Sequence, residues 1–333
     1  MLRIRSWKEN SYRKMHSIIF NGLKHIATLA SGLGKNKKLF ILIYHRVLSE
    51  PDYMRPGEVD LDVFTWQMEL LAKYFNVLPL ADALEKLKNN QLPARAVCIT
   101  FDDGYADNYL NALPILQKFN LKATFFIATG YLNGGIMWND KVIEAVRRAK
   151  NDYLDLTQLG LGKISIKNSQ EKAQAAQLII KNIKHLDMEK RQQLANQIAA
   201  MVKGMPTDLM ITDEQLINLH RAGMEIGGHT VTHPILAKLN EQETERELTE
   251  NKLALEKLLN TKIRFFAYPN GKPGQDYLPE QVKEIRSHNY QAAVSTQWGV
   301  ADRTTDLFQL PRFTPWDTDP LRFMLRMIQV YIR

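Results

Sequence analysis

Residues 96–105 read AVCITFDDGY, a run of six mostly apolar residues that leads directly into two aspartates, a glycine and a tyrosine. Continuous apolar runs of this length are typical of strands buried on both faces of a parallel sheet. Residues 39–44, LFILIY, form a second run, and residues 123–127, ATFFI, form a third after a stretch with helical spacing. Strands that alternate with helices at short spacing predict parallel pairing and an α/β fold.

The same alternation continues toward the C terminus. Residues 212–215 form a capping box that predicts a helix, and residues 224–228 predict a short strand after it. Asn240 caps a long amphipathic helix, and residues 263–268 and 291–296 predict two more strands. With 333 residues, of which 45% are hydrophobic and 24% charged, the chain fits one enlarged α/β barrel.

The stretch from Trp138 to about Met210 differs from the rest of the chain. Its pattern is helical and polar, rich in alanine, lysine and glutamine, and it carries no clear strand signal. We predict a helical insertion or lid on the barrel over about residues 138–210. A separate small helical domain is the weaker alternative, because barrel strands resume after this stretch.

The first 36 residues form a basic extension ahead of the barrel, which we assign to residues 37–333. Polar residues interrupt the apolar stretch from Ile18 to Leu33, which five basic residues precede: Arg3, Arg5, Lys8, Arg13 and Lys14. No apolar run reaches the roughly 20 residues that a bilayer requires, and no convincing cleavage site follows. We therefore expect no cleaved signal peptide, and a location in the cytoplasm or on the cytoplasmic face of the membrane.

Apolar residues within this extension recur at helical spacing. They are Ile19, Leu23, Ile26 and Ala30. The spacing predicts a basic amphipathic helix. Such a helix either packs against the protein's own barrel, which we favour, or attaches peripherally to an anionic membrane face.

The chain is basic overall, with a formal net charge of +8 and a pI near 9.3. This balance suits a nucleic acid, an anionic membrane or an acidic glycan. The basic residues are spread along the chain without interleaved aromatic residues, so we expect no nucleic-acid partner. The single cysteine, Cys98, excludes an internal disulfide framework.

Asp102 and Asp103 stand side by side at the end of a predicted buried strand. Two neighbouring carboxylates cannot both ionise cheaply unless a cation lies near them, and a metal ion meets that need. Successive strand side chains point to opposite faces, so both can reach one site only if the chain turns, and Gly104 supplies a turn. One carboxylate can then bind a metal ion while the other faces a substrate.

Residues 229–233, HTVTH, place two histidines four residues apart. This spacing puts both imidazoles on one face of a helical turn, where they can share an ion. The turn follows Gly227 and Gly228 at the end of a strand, which is the edge where barrel enzymes collect catalytic groups. A zinc protease of the His-Glu-x-x-His type is disfavoured, because no glutamate follows His229.

These motifs carry a family resemblance. Residues 100–105, TFDDGY, and residues 229–233 resemble the first two motifs of the polysaccharide deacetylase family, also called the NodB-homology domain and similar to carbohydrate esterase family 4. Residues 44–47, YHRV, resemble the segment that opens many bacterial members, and the likeness covers about residues 39–316. The resemblance implies a distorted (β/α) barrel and an enzyme that removes acetyl groups from a carbohydrate.

The resemblance also implies a division of roles. Asp102 would be the general base, and Asp103, His229 and His233 would bind a divalent metal ion, with zinc as the first candidate. An ion with three protein ligands would keep positions for water and for the acetyl carbonyl oxygen. The expected partner is an acetylated carbohydrate, either a polysaccharide or a lipid-linked glycan precursor.

Residues 265–271, FFAYPNG, resemble the third motif of the family. The likeness suggests that the Asn270 N–H donates to the tetrahedral oxyanion. Ala267 stands where many members carry an arginine that pairs with the catalytic aspartate. Arg312, in a Leu-Pro-Arg segment near the end of the barrel, is our candidate for that cation.

The later Leu-x-His motif of the family, whose histidine is the general acid, is missing here. His288 is the one histidine after the third motif, and its polar helical surroundings indicate a structural role. His45, at a strand end, is the better candidate for the acid. For substrate contacts we predict Tyr105, Tyr268 and Trp298.

Three functions are compatible with these residues. A metal-dependent carbohydrate N-deacetylase is favoured. An O-acetyl esterase could use the same site, and a catalytically silent glycan- or metal-binding protein gains some support from the missing arginine and acid motifs.

Overall fold

The computed structural model describes residues 18–34 and 36–332, so the basic residues at positions 3 to 14 lie outside the described part of the chain. The strands are β1 (Leu39–Tyr44), β2 (Val47–Leu48), β3 (Val59–Asp60), β4 (Asn76–Val77), β5 (Ala96–Phe101), β6 (Thr124–Ile127), β7 (Tyr153–Leu156), β8 (Gly162–Ser165), β9 (Glu225–Gly228), β10 (Phe265–Ala267) and β11 (Ala292–Val294).

The helices include α1, described over residues 18–30, and a π-helical turn at Asn108–Ala112 that leads into α4. The others are α2 (Leu61–Tyr74), α3 (Leu80–Lys88), α4 (Leu113–Lys118), α5 (Trp138–Arg148), α6 (Ser169–Ile183), α7 (Met188–Ala200), α8 (Asp213–Arg221), α9 (Glu241–Leu259), α10 (Pro279–Ser287) and α11 (Pro320–Ile332). The predicted caps are present, because Thr212 and Asn240 form capping boxes at the starts of α8 and α9.

The central sheet is parallel and has the order β1-β5-β6-β9-β10-β11, with β4 beside the first residues of β5. Tyr44, Phe101 and Phe125 pair in register across β1, β5 and β6. Since all these strands run in the same direction, the residues that follow them meet at one edge of the sheet. This carboxyl edge carries the predicted site.

The sheet curls because a segment near the C terminus links its last strand back to its first. Leu310 pairs with Val294 of β11, and Phe313 pairs with Leu42 of β1. The closing segment, residues 310–313, therefore completes a distorted, partly open barrel. This architecture confirms the predicted (β/α) fold.

Alternate residues of β5 enter different core layers. Ile99 and Phe101 lie in the large cluster between the sheet and the surrounding helices. Cys98 lies in a smaller cluster that gathers residues from β1, β5, β6, β10 and β11 inside the barrel, with α3 packed against it. Thr100 and Asp102 follow Cys98 in this alternation, so their side chains project toward the inside.

The predicted insertion contains α5, α6 and α7 and has a hydrophobic cluster of its own. It also contains an antiparallel pair, β7 and β8, so the expectation that it carries no strand is wrong. The residues of β7 alternate between exposed and buried. A four-residue alternation with one charged and one tyrosine side chain is too short to stand out from a helical pattern.

The described part of α1 is helical, as predicted, and packs on the main core. Its packed residues are Phe20, Leu23, Ala27 and Ala30. Ile19 and Ile26, which we assigned to the packing stripe, are 42% and 49% exposed instead. Apolar residues surround most of this helix, so spacing alone could not select the buried face. Within the described part of the chain, no helix is long and apolar enough to span a bilayer.

Candidate active site

The two aspartates after β5 have different partners. The buried Asp102 carboxylate accepts hydrogen bonds from Arg312 Nη1 at 2.7 Å and from Nη2 at 2.6 Å. Burial raises the pKa of Asp102, but the Arg312 charge outweighs this effect and brings the pKa below its ordinary value. The predicted contact between Arg312 and Asp102 is therefore present, whereas the part of Arg312 in catalysis stays a prediction.

Arg312 is fully buried because the closing segment carries it inside the barrel. Its Nε donates to the Ser295 carbonyl at 2.9 Å, and Nη1 also donates to Thr100 Oγ1 at 3.1 Å. Thr100 Oγ1 in turn donates to the Leu42 carbonyl at 2.7 Å. Each nitrogen of the guanidinium thus has a partner within the protein, and the pair needs no external ligand.

Asp103 faces the two predicted metal-binding histidines. Its Oδ1 lies 3.3 Å from His229 Nε2 and 3.4 Å from His233 Nε2, and the ligand atoms of the three residues lie within 4.8 Å of one another. The same Oδ1 atom is buried and has no hydrogen-bond partner among the described residues. One carboxylate oxygen and two imidazole nitrogens form a donor set that fits zinc or a similar divalent ion.

The surroundings of the two rings suit this group to a cation. His229 Nδ1 lies 2.7 Å from the Ala267 carbonyl and donates to it, which leaves Nε2 as the ring nitrogen that faces Asp103. Burial lowers the pKa of His233 to about 3, so this ring is neutral. A carboxylate oxygen opposite two imidazole nitrogens is an arrangement that a divalent cation stabilises.

The backbone at these ligands adopts the left-handed region. The φ angles of Asp103 and Gly104 are 74° and 87°, and those of Thr230 and His233 are 65° and 54°. The predicted helical turn over residues 229–233 is therefore wrong. These residues form an irregular loop in which the His233 N–H donates to Thr230 Oγ1 at 3.1 Å. Such angles cost about 1–3 kcal/mol for each non-glycine residue, so neighbouring elements must hold the loop.

Two buried residues of α9 provide this support, and neither was predicted. Glu247 accepts hydrogen bonds from the Val231 N–H at 2.7 Å, the Thr232 N–H at 2.9 Å and the Thr232 hydroxyl at 2.6 Å. Asn251 Nδ2 donates to the Thr230 carbonyl at 2.5 Å. Polar residues spaced i, i+4 on the buried stripe of a helix are the sequence feature that could have found them.

His45 and Asn270 follow β1 and β10, so both lie at the carboxyl edge with the aspartates. Burial lowers the pKa of His45, but the charges of Asp103 and Glu58 more than offset this effect and raise the pKa above its ordinary value. Asn270 lies in a turn with φ of 58°, and no acceptor for its backbone N–H is found among the described residues. The predicted roles as acid and oxyanion donor remain predictions.

Tyr105 and Tyr268 are buried and their hydroxyls already have partners, which does not match their prediction as substrate contacts. The buried Tyr105 hydroxyl donates to Asp140 Oδ2 at 2.8 Å. Tyr268 is fully buried, donates to the Phe308 carbonyl at 2.9 Å and stacks on Tyr277 with the ring centres 3.8 Å apart. Both rings therefore fill space between elements, and both hydroxyls already have partners.

Trp298 lies on the surface beyond β11, at the same edge of the barrel. Its ring is 53% exposed and stacks on Trp316 with the ring centres 4.8 Å apart. A stacked, exposed pair of indoles can pack against the apolar face of a sugar. The geometry is thus compatible with the predicted substrate contact, which stays a prediction.

The fold and the motifs now define the class of protein. The family profile described as polysaccharide deacetylase matches residues 89–293. The chain belongs to this family, which confirms the resemblance of its motifs. The membership also agrees with the expected class of enzyme, a carbohydrate deacetylase that hydrolyses carbon–nitrogen bonds.

Among known proteins, the chain is 23% identical over 278 residues to the family member YxkH of Bacillus subtilis strain 168, a match that covers 84% of this chain and 71% of that one. It is 32% identical over 111 residues to the poly-beta-1,6-N-acetyl-D-glucosamine N-deacetylase of Staphylococcus aureus strain MSSA476, covering 29% of this chain and 38% of that enzyme.

Solved structures share the fold. The Streptococcus pyogenes deacetylase PplD, solved in complex with acetate, has a TM-score of 0.60 at 22% identity, over 88% of this chain and 99% of that one. IcaB from Ammonifex degensii has a TM-score of 0.56 at 18% identity, over 89% and 97% of the two chains. At these identities the likeness concerns the fold alone.

Proposed function

We propose that this chain is a metal-dependent hydrolase that removes N-acetyl groups from a carbohydrate. The observation that carries the proposal is the contrast between two adjacent carboxylates. Asp102 is held by Arg312, and Asp103 faces two imidazole nitrogens with one oxygen unpaired. The first arrangement suits a proton acceptor and the second suits a cation ligand.

In this proposal, each residue of the site has its own role in the hydrolysis. When bound by Asp103, His229 and His233, a divalent ion supplies Lewis-acid polarisation of the acetyl carbonyl. Asp102 takes a proton from the water that attacks the carbonyl carbon, and the Asn270 N–H donates to the oxyanion that forms. His45 gives a proton to the leaving nitrogen as the carbon–nitrogen bond breaks. The products are acetate and a free amine.

An acetylated hexosamine polymer is the substrate class that we favour, with a lipid-linked glycan precursor as the related possibility. One relative is named for its action on poly-beta-1,6-N-acetyl-D-glucosamine, although the match covers 38% of that enzyme. The exposed indole pair beside the site supports a ligand with sugar rings.

Acetate release from acetylated hexosamine oligomers tests the proposal. We expect release from N-acetylated oligomers, loss of release with a chelator and recovery on addition of zinc. Release from O-acetylated sugars alone would favour the esterase. No release from any acetylated sugar, with metal bound, would favour the silent binding protein.

We also propose that α1 attaches the protein to the cytoplasmic face of an anionic membrane. Three of its surface residues, Ile18, Ile26 and Leu29, are large and apolar and have exposed fractions between 49% and 66%. Leu33, just after the helix, is 65% exposed. The basic residues at positions 3 to 14 precede them in sequence and would favour anionic lipids. Ser31 accepts a hydrogen bond from the Arg95 N–H, just before β5, so α1 lies at the opposite end of the barrel from the site.

Co-sedimentation with vesicles tests this attachment. We expect the chain to bind vesicles that contain phosphatidylserine more tightly than vesicles of phosphatidylcholine alone. Replacement of Ile26 and Leu29 by serine should weaken binding, whereas replacement of the exposed Leu253, on the far helix α9, should not. Equal binding of both variants would contradict the proposal.

A further inference from the structure

Arg191, on α7 of the insertion, differs from the other deeply buried arginines. It is 3% exposed. Arg312 and Arg55 are buried to a similar degree, and each forms ion pairs with buried carboxylates. No carboxylate of the described residues pairs with Arg191. Burial lowers the pKa of its guanidinium.

The contacts of Arg191 leave most of its hydrogen-bonding capacity free. Nη1 makes a long hydrogen bond of 3.4 Å to the Lys184 carbonyl, and the guanidinium lies 4.9 Å from the centre of the Trp138 ring. Nε is buried and has no acceptor among the described residues. A guanidinium carries five N–H donors in a planar fork. A buried guanidinium with a single weak acceptor therefore has donors that remain available to a ligand.

Arg191 lines a cavity beside the loop that carries the two proposed histidine ligands. This cavity, of about 640 Å³, also has Thr232 and Tyr131 in its wall, and its volume lies in the range of small-molecule sites. Thr232 stands between the two proposed histidine ligands, and its carbonyl accepts a hydrogen bond from the Tyr131 hydroxyl at 2.8 Å. A group bound in the cavity would therefore lie directly behind the metal-binding loop.

The rest of the wall comes mainly from α7, which contributes Met188 together with four amides and one acid. They are Gln192, Gln193, Asn196, Gln197 and the exposed Glu189. Amides are the neutral donors and acceptors that sugar hydroxyls and acetamido groups pair with. The positive guanidinium of Arg191 has no carboxylate partner, so it favours the binding of one negatively charged group beside these amides.

We propose that this cavity binds an oxyanion carried by the glycan substrate, a carboxylate or a phosphate on a sugar next to the one that is deacetylated. Both anions accept the paired hydrogen bonds that a guanidinium fork offers. The inference rests on the proposed function, because it assigns an anionic substrate class to that site. It gives the insertion a role in substrate choice.

Calorimetric binding of three oligosaccharides tests the inference. The probes are a neutral N-acetylglucosamine oligomer, a hyaluronan oligomer that carries glucuronate, and an N-acetylglucosamine oligomer with a terminal 6-phosphate. The full chain would carry Asp102→Asn so that no probe is consumed. We expect at least one anionic probe to bind at least about tenfold more tightly than the neutral probe. The probe that shows this preference identifies the anion as a carboxylate or a phosphate.

The Arg191→Met variant should lose this preference and bind the neutral oligomer as before. Lys190→Met, which removes the same charge from an exposed neighbouring position on α7, should keep it. Equal binding of all probes to the unsubstituted cavity, or a preference that survives in Arg191→Met, would overturn the inference and leave the proposed function intact. Failure of every probe to bind would overturn both.

Stability without ligand gives an independent readout. An unpaired buried charge is unfavourable, so Arg191→Met should have an equal or higher Tm than the original chain. A marked fall in Tm together with equal weakening toward all probes would mean that Arg191 is structural. Arg191→Lys keeps the charge but not the fork and should retain part of the preference, so the test stands even if the methionine variant does not fold.

Discussion

Asp102 and Asp103 are neighbours in sequence and are buried to a similar degree. The protein satisfies the hydrogen-bonding capacity of the Asp102 carboxylate but not that of the Asp103 carboxylate. Asp102 has a bidentate arginine and no unmet acceptor. Asp103 has a buried oxygen that faces two histidines without a hydrogen bond. The chain separates them by a turn that begins at Asp103 itself, with φ of 74°.

This difference shows how one short motif can serve two chemistries. A carboxylate that the protein satisfies keeps its orientation and stays ionised, so it can accept a proton when the reaction offers one. A carboxylate oxygen that faces two imidazole nitrogens without a hydrogen bond can bind a cation. The roles are thus set by what each side chain meets after the turn, not by residue type.

The largest effect is expected from Asp102→Asn. We expect kcat for acetate release to fall between about a hundredfold and ten-thousandfold, because the amide cannot accept the proton. Circular dichroism should show an unchanged fold. A variant that retains more than a tenth of the original kcat would show that another group is the base.

Arg312→Met should destabilise the protein by about 3–5 kcal/mol, because it leaves the buried Asp102 charge unpaired. Urea unfolding at neutral pH measures this change. The double variant Asp102→Asn with Arg312→Met should recover part of the loss. If the single and double variants are equally unstable, the ion pair is not the source of the effect.

Glu247→Gln tests whether the metal-binding loop depends on its support from α9. We expect zinc affinity to weaken about 10- to 100-fold, because the loop loses a charged acceptor that holds Val231 and Thr232. Competition with a chromogenic chelator measures the affinity. Glu250→Gln, an exposed carboxylate on the same helix, is the control and should bind zinc normally.

A smaller effect is expected where charges join the insertion to the barrel. Arg55 pairs with Glu144 at 2.9 Å and with Asp140 at 2.8 Å. Burial raises the pKa of Glu144, but Arg55 and its other cationic neighbours bring it below the ordinary value of 4.5. A depressed folded-state pKa means that its stabilisation is present above pH 4.5 and is lost as the pH falls through the folded value.

Hydrogen exchange of residues 138–200 between pH 5.5 and pH 3 measures this loosening, after correction for the intrinsic exchange rate. We expect protection in the insertion to fall before protection in β5 does. Arg55→Met should already be loosened at pH 5.5 and show a flatter dependence. Protection that falls equally in both regions would contradict a local effect.

The sequence predicted the parts of this molecule that depend on long or strongly patterned stretches. The apolar runs of β1 and β5 and the capping box before α8 could be read directly, and the motif residues lie together at the carboxyl edge. The hairpin of the insertion was missed because its alternation is short. The prediction of Tyr268 as a substrate contact was wrong, because a position in a motif does not determine the direction of the side chain.

The supporting residues of the site depend on tertiary packing. Arg312 lies 210 positions after Asp102 in the chain, and the contact exists because the closing segment completes the barrel. Glu247 and Asn251 could be recognised only as polar residues on a buried helical stripe. Their partners are backbone groups of a loop whose left-handed angles no local pattern predicts.

The division of labour between the two aspartates is tested most directly by the zinc content of Asp102→Asn and Asp103→Asn, purified side by side and dialysed against the same zinc buffer. We predict about one zinc ion per chain in Asp102→Asn and none in Asp103→Asn, since only the second variant removes a metal ligand. Loss of zinc from Asp102→Asn with retention in Asp103→Asn would reverse the assignment of the two carboxylates.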